Sequence, residues 1–284
     1  SVTVSGGALT AGRWYAVLSN GNAVPAGVKV RAEVVFAGAG GEIHRGLWEP
    51  SSRPGLGQGY EYNWGGADRA LLWYTYDEAG QPAWYIAGSP AAPGDVWISP
   101  LYRVTNDGLN QQLAPVGKVS VTHLAESDAL FSFTLFGLSG TERMQPLSPL
   151  TCPQVNGSAA SYTGLWYRGV AGLGGASVLV NALTQAQIHY LFDDSGEPRW
   201  LFAQDPDQNG GPNEPELPML QFSGYCAVCA ASDVSFEVMG TLQRTFSSQN
   251  AGSWTLDYLF EPPLNGSVER TDSIVKLTDT LECL

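Results

Sequence analysis

The sequence predicts an all-β protein built as two tandem antiparallel barrel or sandwich domains related by internal duplication. Three observations lead there. The composition is turn-rich and aromatic, with 34 Gly, 9 Trp and 12 Tyr, and only 14% charged residues, a profile that suits strands and tight turns better than helices. No window keeps a 3.6-residue apolar period, whereas alternating stretches recur along the whole chain. Finally, the chain repeats itself.

The repeat organises the elements. "GLWEPSSRPGLGQGYEYN" from Gly46 and "ALLWYTYDEAGQPAWYIAG" after it match "GLWYRGVAGLGGASVLVN" from Gly164 and "QIHYLFDDSGEPRWLFAQ" at an offset of 116 to 118 residues. Two copies at such a long period indicate a duplicated small domain and not a solenoid. Residues 1–45 read as strands ahead of the first copy ("SVTVSGG", "RWYAVLSNGNAV", "VKVRAEVVFAG"), with "SNGN" as a hairpin turn. They form an N-terminal segment packed on the first domain or extending from it. Residues 46–151 form the first repeat domain and 152–284 the second, with a Pro/Ser/Gly-rich joint around 146–161.

Within each copy the matched core is a hairpin. "LLWYTY" and "AWYIAG" flank "DEAG", where Asp77 is placed to bond back into the turn and Gly80 to supply a positive φ; "DDSG" does the same with Asp193 and Gly196. Pro82 and Pro198 open the returning strands, where a missing N–H is tolerated. Further alternating hairpins follow as "GKVSVTHL…ALFSFTLFGLSG" and "GSWTLDYLF…GSVERTDSIVKL".

These motifs resemble a repeat of secreted proteins of environmental proteobacteria, marked by "GLW", "GLGQGYEY" and above all "WYTYDEAGQPAWYIAG". The resemblance covers both copies; the second departs from it at His189 and Leu191, where the first has Trp73 and Thr75. The opening "GRWY" and "GLWY" are also similar to the first strand of avidin-like and lipocalin-like barrels. That similarity implies small antiparallel barrels without implying a ligand.

Charge narrows the partners. Lys and Arg number 14 against 27 Asp and Glu, a net charge of −13, so nucleic acid and anionic membrane surfaces are disfavoured. There is no run of eighteen apolar residues to insert in a membrane. Starting at Ser1 with no signal-like apolar core, the chain reads as a mature soluble protein, secreted and extracellular or at a cell surface. Four cysteines suit an oxidising compartment. Cys152 and Cys283 bracket the second copy and are expected to pair. Cys226 and Cys229, in "GYCAVC", are expected to form a short structural disulfide, since a redox pair would need a helix N-terminus absent here.

Candidate chemistry is sparse. Asp77 and Asp193, with their neighbours Glu78 and Asp194, are explained by their turns, and no nucleophile elbow, P-loop or dinucleotide fingerprint occurs; no enzyme is expected. The repeated aromatics, with Trp73, Trp84 and Trp200 foremost, read as core for the most part, with one or two per copy left for a glycan or a small apolar ligand. In "DPDQNGGPNEPE", Asp205, Asp207, Asn209, Asn213 and Glu216 follow calcium-loop spacing, although Pro206, Pro212 and Pro215 and the lack of flanking helices argue for a solvated loop. Taken together, these features favour a non-catalytic extracellular protein acting in binding, adhesion or assembly. One form this would take is a filament subunit self-associating through strand edges and its N-terminal strand; the alternative is a ligand- or glycan-binding barrel pair, with a polysaccharide- or peptide-acting enzyme least supported.

Overall fold

The computed structural model describes residues 45–279 apart from 56, 66, 91–95, 149–150, 170–173, 182–183, 206–212, 214–215 and 230–231. All its regular elements are strands, and they form two closed eight-stranded antiparallel barrels. The first contains β1 (Gly46–Pro50), β2 (Gly59–Gly65), β3 (Asp68–Tyr76), β4 (Pro82–Pro90), β5 (Val96–Asn106), β6 (Gln111–Ala125), β7 (Asp128–Leu135) and β8 (Leu138–Pro146). A two-residue-turn hairpin follows, β9 (Gln154–Val155) and β10 (Ser158–Ala159), around Asn156 and Gly157, both at positive φ. The second barrel contains β11 (Gly164–Tyr167), β12 (Gly175–Val180), β13 (Gln185–Phe192), β14 (Pro198–Gln204), β15 (Leu217–Ser223), β16 (Ser235–Ser248), β17 (Ala251–Leu259) and β18 (Ser267–Lys276). Each strand pairs with its neighbour in sequence, and β1 meets β8 as β11 meets β18. Residues 1–44, which carry the expected N-terminal strands and the "SNGN" turn, lie outside the described residues.

The repeated hairpin folds as its residues dictate. Asp77 Oδ1 accepts the N–H groups of Ala79 and Gln81, both at 2.9 Å, and Asp193 Oδ1 accepts those of Ser195 and Glu197. Gly80 and Gly196 stand at φ +77° and +79°, a backbone state open to glycine at no steric cost. Both barrels also carry a bulge at the same place. Leu101 and Tyr102 face Gly117 and Pro115, while Met219 and Leu220 face Gly240 and Val238. Glycine is required at both bulges because a Cβ would fall 1.8 Å from the Thr134 carbonyl oxygen or 1.9 Å from that of Asp257.

The interiors are packed with side chains, as expected of an eight-stranded barrel. In the first barrel Trp48, Tyr60, Tyr62, Trp73, Phe131 and Phe133 fill the centre. In the second, small residues (Ala176, Val178) stand on β12 where β2 has Tyr60 and Tyr62, and a polar chain occupies part of the space. Strand register places Gln187 and His189 where the first barrel has Leu71 and Trp73, and Arg244 where it has Val121. Arg244 Nη1 donates to Gln187 Oε1 at 2.7 Å, and Arg244 also bonds Gln185 Oε1. Because Gln187 turns its oxygen to the guanidinium, its amide nitrogen faces His189 Nε2 at 2.5 Å. His189 Nε2 is therefore the acceptor, and the ring carries its proton on Nδ1. Burial, with Arg244 and Arg270 nearby, pushes the His189 pKa down to about 3.

The barrels join along a seam of β3 and β4 against β13 and β14. Those strands are buried on both faces. Trp73 and Tyr85 point into the first barrel, whereas Tyr74, Tyr76 and Trp84 meet Ile188, Tyr190 and Trp200 in the seam. This double burial accounts for the unbroken aromatic run "WYTY" of β3, whose two faces both pack. The seam is also reciprocal. Trp84 Nε1 donates to the Leu191 carbonyl at 3.1 Å, and Trp200 Nε1 donates to the Thr75 carbonyl at 2.7 Å; each member is the repeat counterpart of the corresponding member of the other pair. Likewise Gly224 N donates to Gly80 O, and Asn106 N donates to Gly196 O. The duplicated domains thus meet as an isologous dimer does, patch on like patch. The turn glycines have a second duty here: a Cβ on Gly80 would lie 2.5 Å from Gly224 O, and one on Gly196 2.0 Å from Asn106 O.

One clasp lacks a counterpart. Arg199 Nε donates to Asp193 Oδ2 at 2.8 Å and its Nη1 to Asp77 Oδ2 at 2.9 Å, so a single guanidinium ties together both turn carboxylates. Ala83 occupies the equivalent site in the first copy.

Candidate functional site

Since the barrel interiors are filled, the depressions of interest lie at the seam. One, of about 330 Å³, is lined from both copies. β1 supplies Glu49, the β1–β2 loop Gln58, and β3 Tyr74; β13 supplies Ile188, β14 Trp200, Phe202 and Gln204, and β15 Phe222. Trp200, almost wholly buried, closes its base with ring centroids 5.8 Å from Tyr74 and 5.6 Å from Phe222, and Phe202 and Phe222 are the cleft's half-buried rings. Phe202 stands edge-on to Phe222 at 6.0 Å.

Polar groups converge on this wall. Glu49 Oε2 accepts Gly55 N at 2.9 Å and Oε1 accepts the Gln145 amide at 3.2 Å, which fixes the carboxylate at the rim. Gln58 is anchored by its amide to the Tyr225 carbonyl of the other barrel at 2.8 Å. Thr184 and Gln204 complete the rim, and no Lys or Arg is among the described residues that line the cleft. The β1–β2 loop must approach closely: a Cβ on Gly57, at φ +63°, would meet Tyr76 Oη at 2.3 Å and the Trp200 ring at 3.1 Å. An aromatic floor with a carboxylate, two amides and a hydroxyl above it suits a neutral polyhydroxylated ring or a ligand of like size.

The expected site residues separate. Trp200 lines this cleft. Trp73 is enclosed within the first barrel against Tyr85, Phe131 and Phe133, and Trp84 is enclosed in the seam against Tyr190 and Phe192. Of the calcium-loop residues, Asp205 is buried at the end of β14, Asn213 Oδ1 accepts the Phe246 N–H at 2.7 Å, and Glu216 is exposed beside Gln243. Asp207 and Asn209 lie outside the described residues, among which no group of three or more His, Cys, Asp or Glu is placed to hold a metal. Cys226 and Cys229 form the short disulfide expected of them. Cys152 is disulfide-bonded, while Cys283 lies outside the described residues.

The Cys226–Cys229 loop belongs to the second barrel but closes the first. Ala227 and Val228 pack on the first barrel's core, and Tyr225 Oη accepts from Arg53 Nη1 at 2.8 Å. Sequence reasoning missed this, and it missed Glu49, Gln58, Thr184, Gln204 and Phe222, because their grouping depends on how the copies dock. The one usable signal was the "GLG" match between the copies, of which Gly57 stands against Trp200 in the structure.

No family model, curated protein or solved structure matches this chain. Geometry therefore carries the functional argument, and no helix among the described residues is long and apolar enough to cross a membrane.

Proposed function

We propose that this is a non-catalytic extracellular binding protein in which two filled barrels form one body, with a glycan or similar neutral ligand seated at their seam. The observation that supports this reading most strongly is the cleft floored by Trp200 and rimmed by Glu49, Gln58, Thr184 and Gln204, with residues drawn from both copies. Glycoside hydrolysis calls for two carboxyl groups facing one substrate about 5 to 9 Å apart. Among the described residues Glu49 is the one carboxylate lining the cleft, and Asp77 and Asp193 are engaged by their turns and by Arg199. A glycan array and native mass spectrometry test the reading. Wild type is expected to return a saccharide, and Gln204→Trp, which fills the cleft from its rim, to lose it without losing the fold; an empty screen overturns the proposal.

Assembly is a second reading, favoured by one observation. Among the described residues, β8 pairs with β1 through Met144–Pro146 and β18 with β11 through Val275 and Lys276, so each barrel closes over a short register. Strand addition at such a closure would join copies. Mass photometry showing only monomers, unchanged by removal of residues 1–13, would dispose of it.

A further inference from the structure

A second depression, of about 450 Å³, opens at the other side of the seam, where the β7–β8 turn faces the Cys226–Cys229 loop. The turn is Leu135–Phe136–Gly137–Leu138, closed by the Leu135–Leu138 pair. Phe136 and Gly137 both have positive φ, +50° and +85°, the signature of the two-residue hairpin turn that favours Asn-Gly. An aromatic residue gains nothing from that conformation, since it has neither glycine's freedom nor the short polar side chain with which Asn satisfies its own backbone. Packing does not repay the strain either: Phe136 is 59% exposed and Leu138 53%. Backbone strain held at an exposed apolar residue is a mark of function more than of folding.

The surroundings indicate what Phe136 meets. Its ring stands edge-on to Tyr85 at 6.3 Å, and Val228 of the disulfide loop lines the same depression. Two guanidiniums line the cleft, and both are already engaged, Arg103 with Glu197 and Arg199 with Asp77 and Asp193. Glu78 stands exposed at the same rim. Taken with Asp193, these groups carry more negative than positive charge, on a chain of net charge −13. An apolar pocket with an acidic rim complements an apolar side chain next to a lysine or arginine.

We propose that this cleft docks a partner protein through a short exposed segment carrying an apolar side chain beside a basic one, with Phe136 as the contact residue. The site is separate from the Trp200 cleft, and its test does not depend on that reading. N-acetyl-Phe-Lys-amide and N-acetyl-Phe-Glu-amide are titrated into the full chain by ligand-observed NMR. The Lys peptide is expected to bind about fivefold more tightly than the Glu peptide, in keeping with one exposed charge contact. Phe136→Asn is expected to raise the melting temperature by a few degrees, by relieving the turn, and to abolish peptide binding. Gln204→Trp is expected to bind both peptides as wild type does. A wild type that binds neither peptide, equal affinity for the two, a Phe136→Asn variant that still binds, or one that melts earlier than wild type would each overturn the proposal.

Discussion

Replacing Trp200 by Phe asks whether the seam holds the two barrels as one body. Trp200 is 1% exposed, and its indole N–H is the donor to the Thr75 carbonyl, 2.7 Å away across the seam. Phenylalanine keeps a ring against Tyr74, Tyr76 and Phe222 but removes the indole's bond to a carbonyl that keeps its place in the β3–β4 ladder, at a cost of about 0.5–1.5 kcal/mol. The lost ring volume adds roughly 1 kcal/mol, since the surroundings collapse only in part. The total, about 1.5–2.5 kcal/mol, corresponds to a fall in melting temperature of roughly 3–5 °C for 284 residues unfolding as one body. Trp84→Phe is expected to lose a similar amount, because the Leu191 carbonyl takes the place of the Thr75 carbonyl. Trp97 offers the contrast: its indole lies 3.4 Å from the Ser89 carbonyl within one barrel, so Trp97→Phe should cost less. Calorimetry with urea unfolding followed by tryptophan fluorescence reads all three. Wild-type unfolding in two separate steps, or a Trp200→Phe variant melting with wild type, would refute the reciprocal seam as a source of stability.

Three further outcomes are expected. His189 is neutral when folded, with its pKa near 3, but titrates near 6.5 when unfolded. The unfolded chain therefore binds the extra proton below 6.5, and stability falls as pH drops from there towards 3, by up to about 1.4 kcal/mol per unit from this one group; His189→Gln, which keeps an acceptor for Gln187, should flatten that slope in pH-dependent urea melts. Opening the four-residue Cys226–Cys229 loop should cost about 2 kcal/mol by chain entropy, and tryptophan quenching by acrylamide should rise as Ala227 and Val228 leave the first barrel's core; a Cys226→Ala/Cys229→Ala variant quenched like wild type would contradict the plug. Calcium binding by Asp205, Asp207, Asn209, Asn213 and Glu216 predicts a melting temperature that EDTA lowers and excess calcium restores, and insensitivity to EDTA leaves the loop to hydrogen bonding alone.

Local chemistry was legible and docking was not. Asp77, Gly80 and Pro82 each act in the structure through the bond, dihedral or missing donor that the sequence assigns them, since a turn is settled within a few residues. The repeat predicts two copies, and because successive strand residues face opposite ways, Tyr74 and Tyr76 must lie on the face away from Trp73. What alternation could not say is that the outer face is buried too, for that depends on a second copy lying against it. The same limit hid the duty of Gly80 and Gly196 in letting the barrels touch. His189 was visible as a departure from the repeat, yet its link to Arg244 through Gln187 required the barrel to close. The cleft residues Glu49, Gln58 and Gln204 share neither a motif nor a spacing, because the site belongs to the pair of domains and to neither copy alone.

The claim that the seam is the binding site is tested most directly by a crystal structure of the protein with the tightest saccharide from the array. The account predicts a sugar ring packed against the half-buried Phe202 and Phe222, above the enclosed Trp200, with hydroxyl groups bonded to Glu49 or Gln204. A saccharide bound away from the seam, with this cleft empty, would contradict it.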